Sequence, residues 1–317
     1  MAQRLESTWY REDIESSAAV YKPPELIEVA VNRHLVGVNR IAIQTAPLFG
    51  KNAVLAYLSK WDIENIEVIL AAKTLGKGLE QTETFLVSSR NMPLSLAPNV
   101  IPHSELNVLI QQTDVEAVIN YLVKYGYGAV LLQQLGEFRK SGDLGVFTVA
   151  LQKLYYSRLL WELRFLQGDE GMLREYVRAE ISERNVLVLL KSKESKLDRE
   201  TFSRHLIDEG LISQASLLDA YSSDLGEVIK KLEPWFDLSG ALTNYRQTGN
   251  VSEFEVAMDK LIAERYISRF RSLMVSLTST FAFVLQAEYE RQNIRRITYA
   301  KQYGMTEEYI KSVLLAS

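Results

Sequence analysis

A helical pattern recurs along the whole sequence, and this recurrence restricts the fold more than any other feature. Residues 135–154, LGEFRKSGDLGVFTVALQKL, align without a gap to residues 242–261, LTNYRQTGNVSEFEVAMDKL, at an offset of 107 positions. A weaker third copy, EVAVNR, lies at residues 28–33. Self-similarity of this kind indicates that one supersecondary unit is repeated along the chain.

A second pattern, N-[IV]-x-x-[IL]-x-x-x-K, follows each copy of the first. Its members are Asn65 with Lys73, Asn185 with Lys193, and Asn293 with Lys301. The alanine of the first pattern precedes the asparagine by 35, 35 and 36 residues. Because two patterns keep their separation three times, we predict three units: residues 1–101, shortened at the start, residues 102–205 and residues 206–317.

The periodicity within each unit predicts helices and gives little indication of strands. Apolar residues recur at spacings of three and four, as on one face of a helix. Gly142 is expected to end a helix in the left-handed conformation, with Asp143 capping the next one, and Gly249 and Asn250 repeat this arrangement. The uncharged run from Ser272 to Ala287 is too short for a membrane span of about 20 residues and is predicted to be a core helix. We therefore predict an all-α fold.

The composition excludes several kinds of chemistry. The chain of 317 residues has no cysteine, so it has no disulfides, thiolate nucleophiles or zinc–thiolate sites. It contains no phosphate-binding glycine motif, no Glu-x-x-His di-iron motif and no Asp-Asp pair, and we predict no catalytic, cofactor-binding or metal-binding residue. A net charge of −4 disfavours nucleic acid as the main partner. The opening residues lack the apolar core of a signal peptide, so a cytoplasmic chain without a membrane span is expected.

The repeated asparagines and lysines allow two interpretations. Structurally, each Asn would bond the backbone of a neighbouring helix end or loop, since an unpaired buried amide costs about 1–3 kcal/mol. Functionally, the three would line a shared pore or pocket around a pseudo-threefold axis. The lysines eight residues later would be helix-end charges that interact with the helix dipole.

The segment before the C-terminus has the densest charge. Glu288, Glu290, Arg291, Arg295 and Arg296 are our candidates for binding a partner protein; the alternative is a solvated helix stabilised by side-chain pairs along its surface. The helix is predicted to stop near Gly304, and a last short helix to start at Thr306. On the partner-binding hypothesis, reversing Arg295 and Arg296 to Glu would weaken assembly while the isolated chain stays folded.

Four segments carry a family resemblance. KWDIENI at 60–66, AKTLG at 72–76, E-x-E-x-x-N-I-R-R-I at 288–297 and K-x-Y-G at 301–304 resemble the C subunit of archaeal-type (A/V-type) rotary ATPases, the counterpart of the vacuolar ATPase d subunit. The likeness spans about residues 26 to 317. Only 25 residues precede it, fewer than is usual in the family, so the first unit is expected to be shortened.

The resemblance implies a mechanical role. Three helical units would form a funnel that caps the membrane rotor ring of proteolipid subunits and receives the foot of the central shaft, formed by subunits D and F. The chain would be a non-catalytic rotating coupler and spacer, peripheral at the cytoplasmic face of the membrane, in a complex that moves protons or sodium. The competing hypotheses are a helical-repeat scaffold that binds proteins outside a rotary ATPase, and an all-α enzyme with an unrecognised site.

Overall fold

The computed structural model describes residues 2–76, 101, 103–273 and 276–315, and its regular elements in these ranges are helices. The α-helices are α1 (Ala2–Leu5), α2 (Arg11–Ser17), α3 (Glu25–Thr45), α4 (Lys51–Leu58), α5 (Lys60–Thr74), α6 (His103–Gln111), α7 (Val115–Leu122), α8 (Gly128–Ser141), α9 (Gly145–Leu163), α10 (Gly171–Glu194), α11 (Arg199–His205), α12 (Gln214–Tyr221), α13 (Leu225–Leu232), α14 (Ser239–Thr248), α15 (Ser252–Ser272), α16 (Leu277–Gln302) and α17 (Glu307–Val313). The predicted all-α class is confirmed: the described residues contain no strand.

The predicted helix–turn–helix is present in both copies. Gly142 ends α8 at a φ of 69°, and Gly249 ends α14 at a φ of 68°. Both values lie in the left-handed region, which glycine enters without steric cost. The Asp143 side chain then accepts a hydrogen bond from the amide of Gly145, and Asn250 accepts one from Ser252. These glycines therefore set the point at which each chain segment reverses.

The order of helices also repeats between the middle and the last third of the chain. The series α6 to α10 and the series α12 to α16 each contain two short helices, a helix ending in left-handed glycine, and two long helices. Asp114 caps α7 by accepting a hydrogen bond from the Ala117 amide, and Asp224 caps α13 in the same way from the Glu227 amide. The precise limits of the three repeats stay a prediction.

All three copies of the second pattern end in the same turn. The residue eleven positions after each asparagine has a left-handed backbone. The φ angle is 63° at Gly76, 53° at Lys196 and 68° at Gly304. Their amides donate to the carbonyls of Lys73, Lys193 and Lys301, at 3.1, 3.2 and 3.2 Å. Two copies therefore place glycine at a left-handed position, and one places a lysine there.

This difference predicts that Lys196→Gly stabilises the chain. A left-handed backbone costs an L-residue about 1–2 kcal/mol, and glycine avoids this cost. Part of the advantage is lost because glycine gives the unfolded chain more conformational entropy, so we expect the free energy of unfolding to rise by about 0.5–1 kcal/mol. Urea unfolding of the two proteins measures it. Gly304→Ala should lose a similar amount, and equal midpoints for all three proteins would contradict the role of the turn.

The chain divides into two compact units. One comprises Met1–Glu162 and Phe283–Leu314, so α16 runs beside the N-terminal helices. Part of its core is an apolar cluster that joins α1, α2, α3 and α16. Its members are Leu5, Tyr10, Ile14, Leu26, Ile27, Ala30, Val31 and Ile294. Packing of this cluster places the C-terminal helix against the first helices of the chain.

The second unit, Leu163–Ala282 with Leu315, is organised around α10. Tyr176 meets Tyr266 and Phe270 of α15 edge-on, with ring centroids 5.6 and 5.8 Å apart. Edge-to-face aromatic pairs of this kind contribute about 0.5–1.5 kcal/mol beyond their buried area. The hydroxyl of Tyr266 donates to Glu175 at 3.0 Å, so the buried rings keep their polar ends satisfied.

The prediction of one core helix from Ser272 to Ala287 is wrong. α15 ends at Ser272 and α16 begins at Leu277, so the run spans a junction between helices. Glu170 stabilises the first turn of α16 by accepting a hydrogen bond from the Leu277 amide at 3.3 Å. An uncharged run predicts that its residues are buried, but it does not show that one helix continues through them, because capping groups decide where a helix begins.

Candidate functional site

The charged residues predicted on the C-terminal helix lie on α16, and several of them contact helices of their own compact unit. Side chains three or four positions apart share one face of a helix, so Glu288, Arg291 and Arg295 form a stripe. Glu288 and Arg291 are only 9 % and 6 % exposed. Much of this stripe is therefore covered by the chain itself.

Glu288 joins α16 to α4 and α5. Its Oε2 accepts hydrogen bonds from the Tyr57 hydroxyl at 2.8 Å and from Lys60 Nζ at 2.7 Å. Lys60 also donates to the Tyr57 hydroxyl and lies 3.9 Å from the centroid of that ring. Three side chains from three helices thus meet at one carboxylate oxygen, while the other oxygen of Glu288 is buried without a hydrogen-bond partner.

Arg291 is the most enclosed cation of the stripe. Its Nε donates to Oδ1 of Asn32 on α3, and its guanidinium lies 5.3 Å from the Trp61 ring centroid. Burial lowers the pKa of Arg291, and the nearby positive charge of Arg295 lowers it further. The amide oxygen and the aromatic face compensate the guanidinium for lost water.

Arg295 pairs with a buried carboxylate. Glu28 on α3 is 7 % exposed and accepts a hydrogen bond from Arg295 Nε at 2.9 Å. The Tyr299 hydroxyl also donates to Glu28, at 3.3 Å. Burial, followed by the charge of Glu28, raises the pKa of Tyr299. This pair anchors the second half of α16 to the start of α3.

The other two partner-binding candidates differ in exposure. Glu290 is exposed to solvent. The pKa of Tyr10 is raised first by burial and second by the nearby negative charge of Glu290. Arg296 is half-buried and donates to the Val313 carbonyl at 2.9 Å, at the last residue of α17. Partner binding by the five candidates stays a prediction. Glu290 has the most side chain available for it.

The three repeated asparagines lie on α5, α10 and α16. Asn65 is 5 % exposed, Asn185 is 1 % exposed and Asn293 is half-buried. Asn185 bonds both backbone groups of Ile207, just after α11: its Nδ2 donates to the carbonyl and its Oδ1 accepts from the amide, each at 2.8 Å. At this position the asparagine has the backbone-bonding role of the structural interpretation.

Two of the repeated lysines contact the carboxyl-terminal ends of other helices. Lys73 donates to the Ile110 carbonyl in the last turn of α6, and Lys193 donates to the carbonyls of Tyr221 and Ser223 at the end of α12. Free carbonyls and a partial negative charge collect at helix C-termini, so cations are favoured there. Lys301, in contrast, is exposed.

Comparison with known proteins places this architecture in a family. The family model described as ATP synthase (C/AC39) subunit matches residues 1–313. The chain belongs to this family. The C subunit of the A-type ATP synthase of Thermoplasma volcanium is 39 % identical over 312 residues, covering 98 % of this chain and 88 % of the relative. The C subunit from Thermoplasma acidophilum is 40 % identical over 307 residues, which cover 96 % of this chain and 86 % of the relative. The C subunit from Methanocaldococcus jannaschii is 25 % identical over 317 residues, which cover 98 % of this chain and 77 % of the relative.

The C/AC39 motifs of the chain correspond to the two sides of the polar network. Lys60 and Trp61, from the first motif, contact the stripe of α16, which is the last motif. Their partners Tyr57, Glu28 and Asn32 were not predicted from the sequence. The latter two lie in the weak repeat copy EVAVNR, where two polar residues four apart in an otherwise apolar stretch were the available signal.

Asp62, within the first C/AC39 motif, is a buried carboxyl with little compensation. It is 3 % exposed, and the Tyr127 hydroxyl donates to it across a long 3.5 Å. Burial raises the pKa of Asp62 well above its ordinary value, and the hydrogen bond from Tyr127 opposes that rise only in part. The fold therefore favours the protonated form of this side chain.

Asp62→Asn is expected to stabilise the chain at neutral pH and to have little effect in acid. A raised carboxyl pKa contributes stability that is fully present below the unfolded pKa, about 3.9, and is lost as pH rises through the folded pKa. Asparagine keeps the shape without the charge. Urea unfolding at several pH values measures the difference, with the exposed Asp208→Asn as control. A less stable Asp62→Asn protein at neutral pH would show that the carboxylate has a role of its own.

Neither a cluster of metal-binding side chains nor a membrane-spanning helix occurs among the described residues of this C/AC39 member. No three His, Asp or Glu side chains among them are arranged to hold a metal ion. None of the helices in the same ranges combines the length and hydrophobicity that crossing a bilayer requires. What the site contains is a set of internally paired charges that join α16 to α3, α4 and α5.

Proposed function

We propose that the chain is the non-catalytic central-stalk subunit of an A-type ATP synthase, a rotating coupler and spacer between the central shaft and the membrane rotor ring. Membership of the ATP synthase (C/AC39) family over residues 1–313 carries this proposal. The relatives that match almost the whole chain are named as C subunits of A-type ATP synthases. Coupling would support ATP-linked transport of protons or sodium.

The polar network on α16 suits an element that transmits torque. Hydrogen bonds to charged groups have narrow preferred geometry, so several of them between the same helices favour one register of those helices. Glu288, Arg291 and Arg295 each bond a side chain from the N-terminal helices. Helices joined in this way resist sliding past one another more than helices joined by apolar contacts alone.

The partners and location belong to the same proposal. The shaft subunits D and F would enter a funnel of three repeated helical units, and the proteolipid ring would lie beneath it at the cytoplasmic face of the membrane. Interfaces rich in charge at their rims are specific and salt-sensitive, as a junction between separable sectors requires. The exposed Glu290 is the first α16 residue to examine at such a rim.

Co-purification from native membranes tests the proposal. A tagged chain, expressed at its natural level and extracted in mild detergent, should bring down the nucleotide-binding subunits, the D and F shaft subunits and the ring subunits in one complex. The isolated chain should not hydrolyse ATP. The tag expressed alone in the same cells is the control.

Each alternative has a distinct outcome in this experiment. Recovery of soluble proteins without ATPase subunits would favour the scaffold hypothesis and contradict ours. Turnover by the isolated chain would favour an enzyme. Recovery of the nucleotide-binding and ring subunits without D and F would contradict the shaft contact while leaving membership of the complex intact.

A further inference from the structure

The end of α10 forms a docking surface for a helix terminus within the second compact unit. Lys193 Nζ donates to the Tyr221 carbonyl at 2.8 Å and to the Ser223 carbonyl at 2.6 Å. The Tyr221 ring stacks on Phe202 of α11, with centroids 4.4 Å apart, and its hydroxyl donates to the Ser192 carbonyl at 3.2 Å. The carboxyl-terminal end of α12 thus rests on the last turn of α10 and on α11.

The end of α5 makes the same type of contact in the other unit. Lys73, at the position equivalent to Lys193, donates to the Ile110 carbonyl in the last turn of α6. Both lysines are half-buried, and neither turns back to the carbonyls of its own helix. In two of the three copies, this lysine therefore holds the carboxyl-terminal end of a helix that comes later in the chain.

The third copy builds the same surface around Lys301. Four positions of the third copy follow their equivalents in the second copy by 108 residues: Ala300 corresponds to Ser192, Lys301 to Lys193, Met305 to Leu197 and Ile310 to Phe202. The turn at Gly304 repeats the one at Lys196, and α17 begins at its Thr306 cap just as α11 begins at its Asp198 cap. The surface that receives a helix end in the second copy is thus present in the third.

No helix end fills this third surface among the described residues. Lys301 is exposed and makes no hydrogen bond or ion pair with any described residue. Met305 and Ile310 are 48 % and 8 % exposed, compared with 39 % and 0 % for Leu197 and Phe202 at the equivalent positions of the filled surface. Tyr303 beside them is 72 % exposed. A cation beside exposed apolar side chains and a closed apolar floor matches the chemistry of a helix C-terminus, which offers carbonyl oxygens, negative partial charge and an apolar last turn.

We propose that the surface formed by Lys301, Met305 and the start of α17 binds the carboxyl-terminal end of an α-helix from another subunit of the ATP synthase complex. The occupant follows from the two contacts within the chain, where the equivalent lysine holds a helix end of this polarity. The inference rests on the proposed function for the source of that helix.

Lysine footprinting tests whether the surface is covered on assembly. The isolated full-length chain and the purified complex are acetylated with an amine-reactive reagent, and each lysine is quantified by mass spectrometry. Lys301 should react at least about fivefold more slowly in the complex, because a bound carbonyl end both covers the amine and keeps it protonated. Lys140, which is likewise exposed in the last turn of its helix, is the matched control.

A cross-link identifies the occupant. The chain has no cysteine, so Met305→Cys provides a single site for a photoreactive maleimide before the chain is returned to the complex. The expected product joins residue 305 to the last turn of a helix in a different subunit.

Lys301→Ala should weaken retention of the chain in the complex about tenfold at raised salt, which corresponds to the loss of one charged hydrogen bond. Lys301→Arg should restore most of that retention.

The outcomes separate this inference from the proposed function. A complex that assembles with Lys301 as reactive as in the free chain overturns the inference alone. A cross-link to a second copy of the chain, to the chain itself or to a surface that is not a helix end also overturns it. Failure of the wild-type chain to join an ATP synthase complex overturns both. Lys301→Ala must keep the wild-type unfolding midpoint, since a shifted midpoint would give the lysine a contact inside the chain and contradict the proposal.

Discussion

Arg295→Glu should lower the free energy of unfolding of the isolated chain by about 2–4 kcal/mol, because it replaces the cation paired with a buried carboxylate by a second anion. Glu28 is 7 % exposed, and Arg295 forms an ion pair with it. The range lies below the full penalty of a buried charge because the Arg295 side chain is 37 % exposed. Denaturant unfolding followed by circular dichroism measures the change.

A charge swap separates the pair from general effects of the substitution. Glu28→Arg combined with Arg295→Glu should recover part of the stability that either single variant loses, since the opposite charges meet again. Arg269→Glu, on an exposed face in the last turn of α15, is the control, and it should cost only about 0.5–1 kcal/mol through the lost interaction with the helix end. If Arg295→Glu unfolds at the wild-type midpoint, the network does not hold α16.

This expectation changes how an assembly defect is interpreted. The sequence alone predicts that reversing Arg295 and Arg296 leaves the isolated chain folded, whereas the buried ion pair with Glu28 leads us to expect a less stable chain. Loss of such a variant from the ATP synthase would then follow from loosening of α16. Glu290, which is exposed on the same helix, is the better position for testing a direct contact.

Local rules predicted much of the fold. The left-handed glycines at 142 and 249, the caps after them and the last helix beginning at Thr306 were all confirmed. Each depends on residues within a few positions of one another, where steric and capping preferences act directly. Repetition added a second check, because a turn predicted in one copy recurs in the others.

Long-range pairing was not predictable in the same way. Glu28 and Arg295 are separated by 267 positions, and periodicity alone does not say which polar face of one helix meets which face of another. The stripe on α16 has the alternating charge of a solvated helix, and only the packing of α3, α4 and α5 against it shows that its charges are paired. Burial of charge depends on tertiary contacts that one sequence does not encode visibly.

Asn185→Ala should lower the free energy of unfolding by about 2–4 kcal/mol, because it leaves both the amide and the carbonyl of buried Ile207 without a partner. Both bonds to the Asn185 side chain are 2.8 Å long, and Asn185 and Ile207 are 1 % and 5 % exposed. Denaturant unfolding measures the loss. Asn120→Ala, on the exposed face of α7, should stay within about 0.5 kcal/mol of wild type.

Asn185→Asp tests the two bonds separately. The carboxylate keeps an acceptor for the Ile207 amide but has no donor for the Ile207 carbonyl, and burial of its charge adds a cost. At neutral pH this variant should be at least as unstable as Asn185→Ala, and it should regain stability as the pH falls, because the protonated acid can donate to the carbonyl again. An Asn185→Asp protein whose stability relative to wild type does not improve in acid would show that the amide donor contributes little. The repeated asparagine would then need an explanation other than holding the segment after α11.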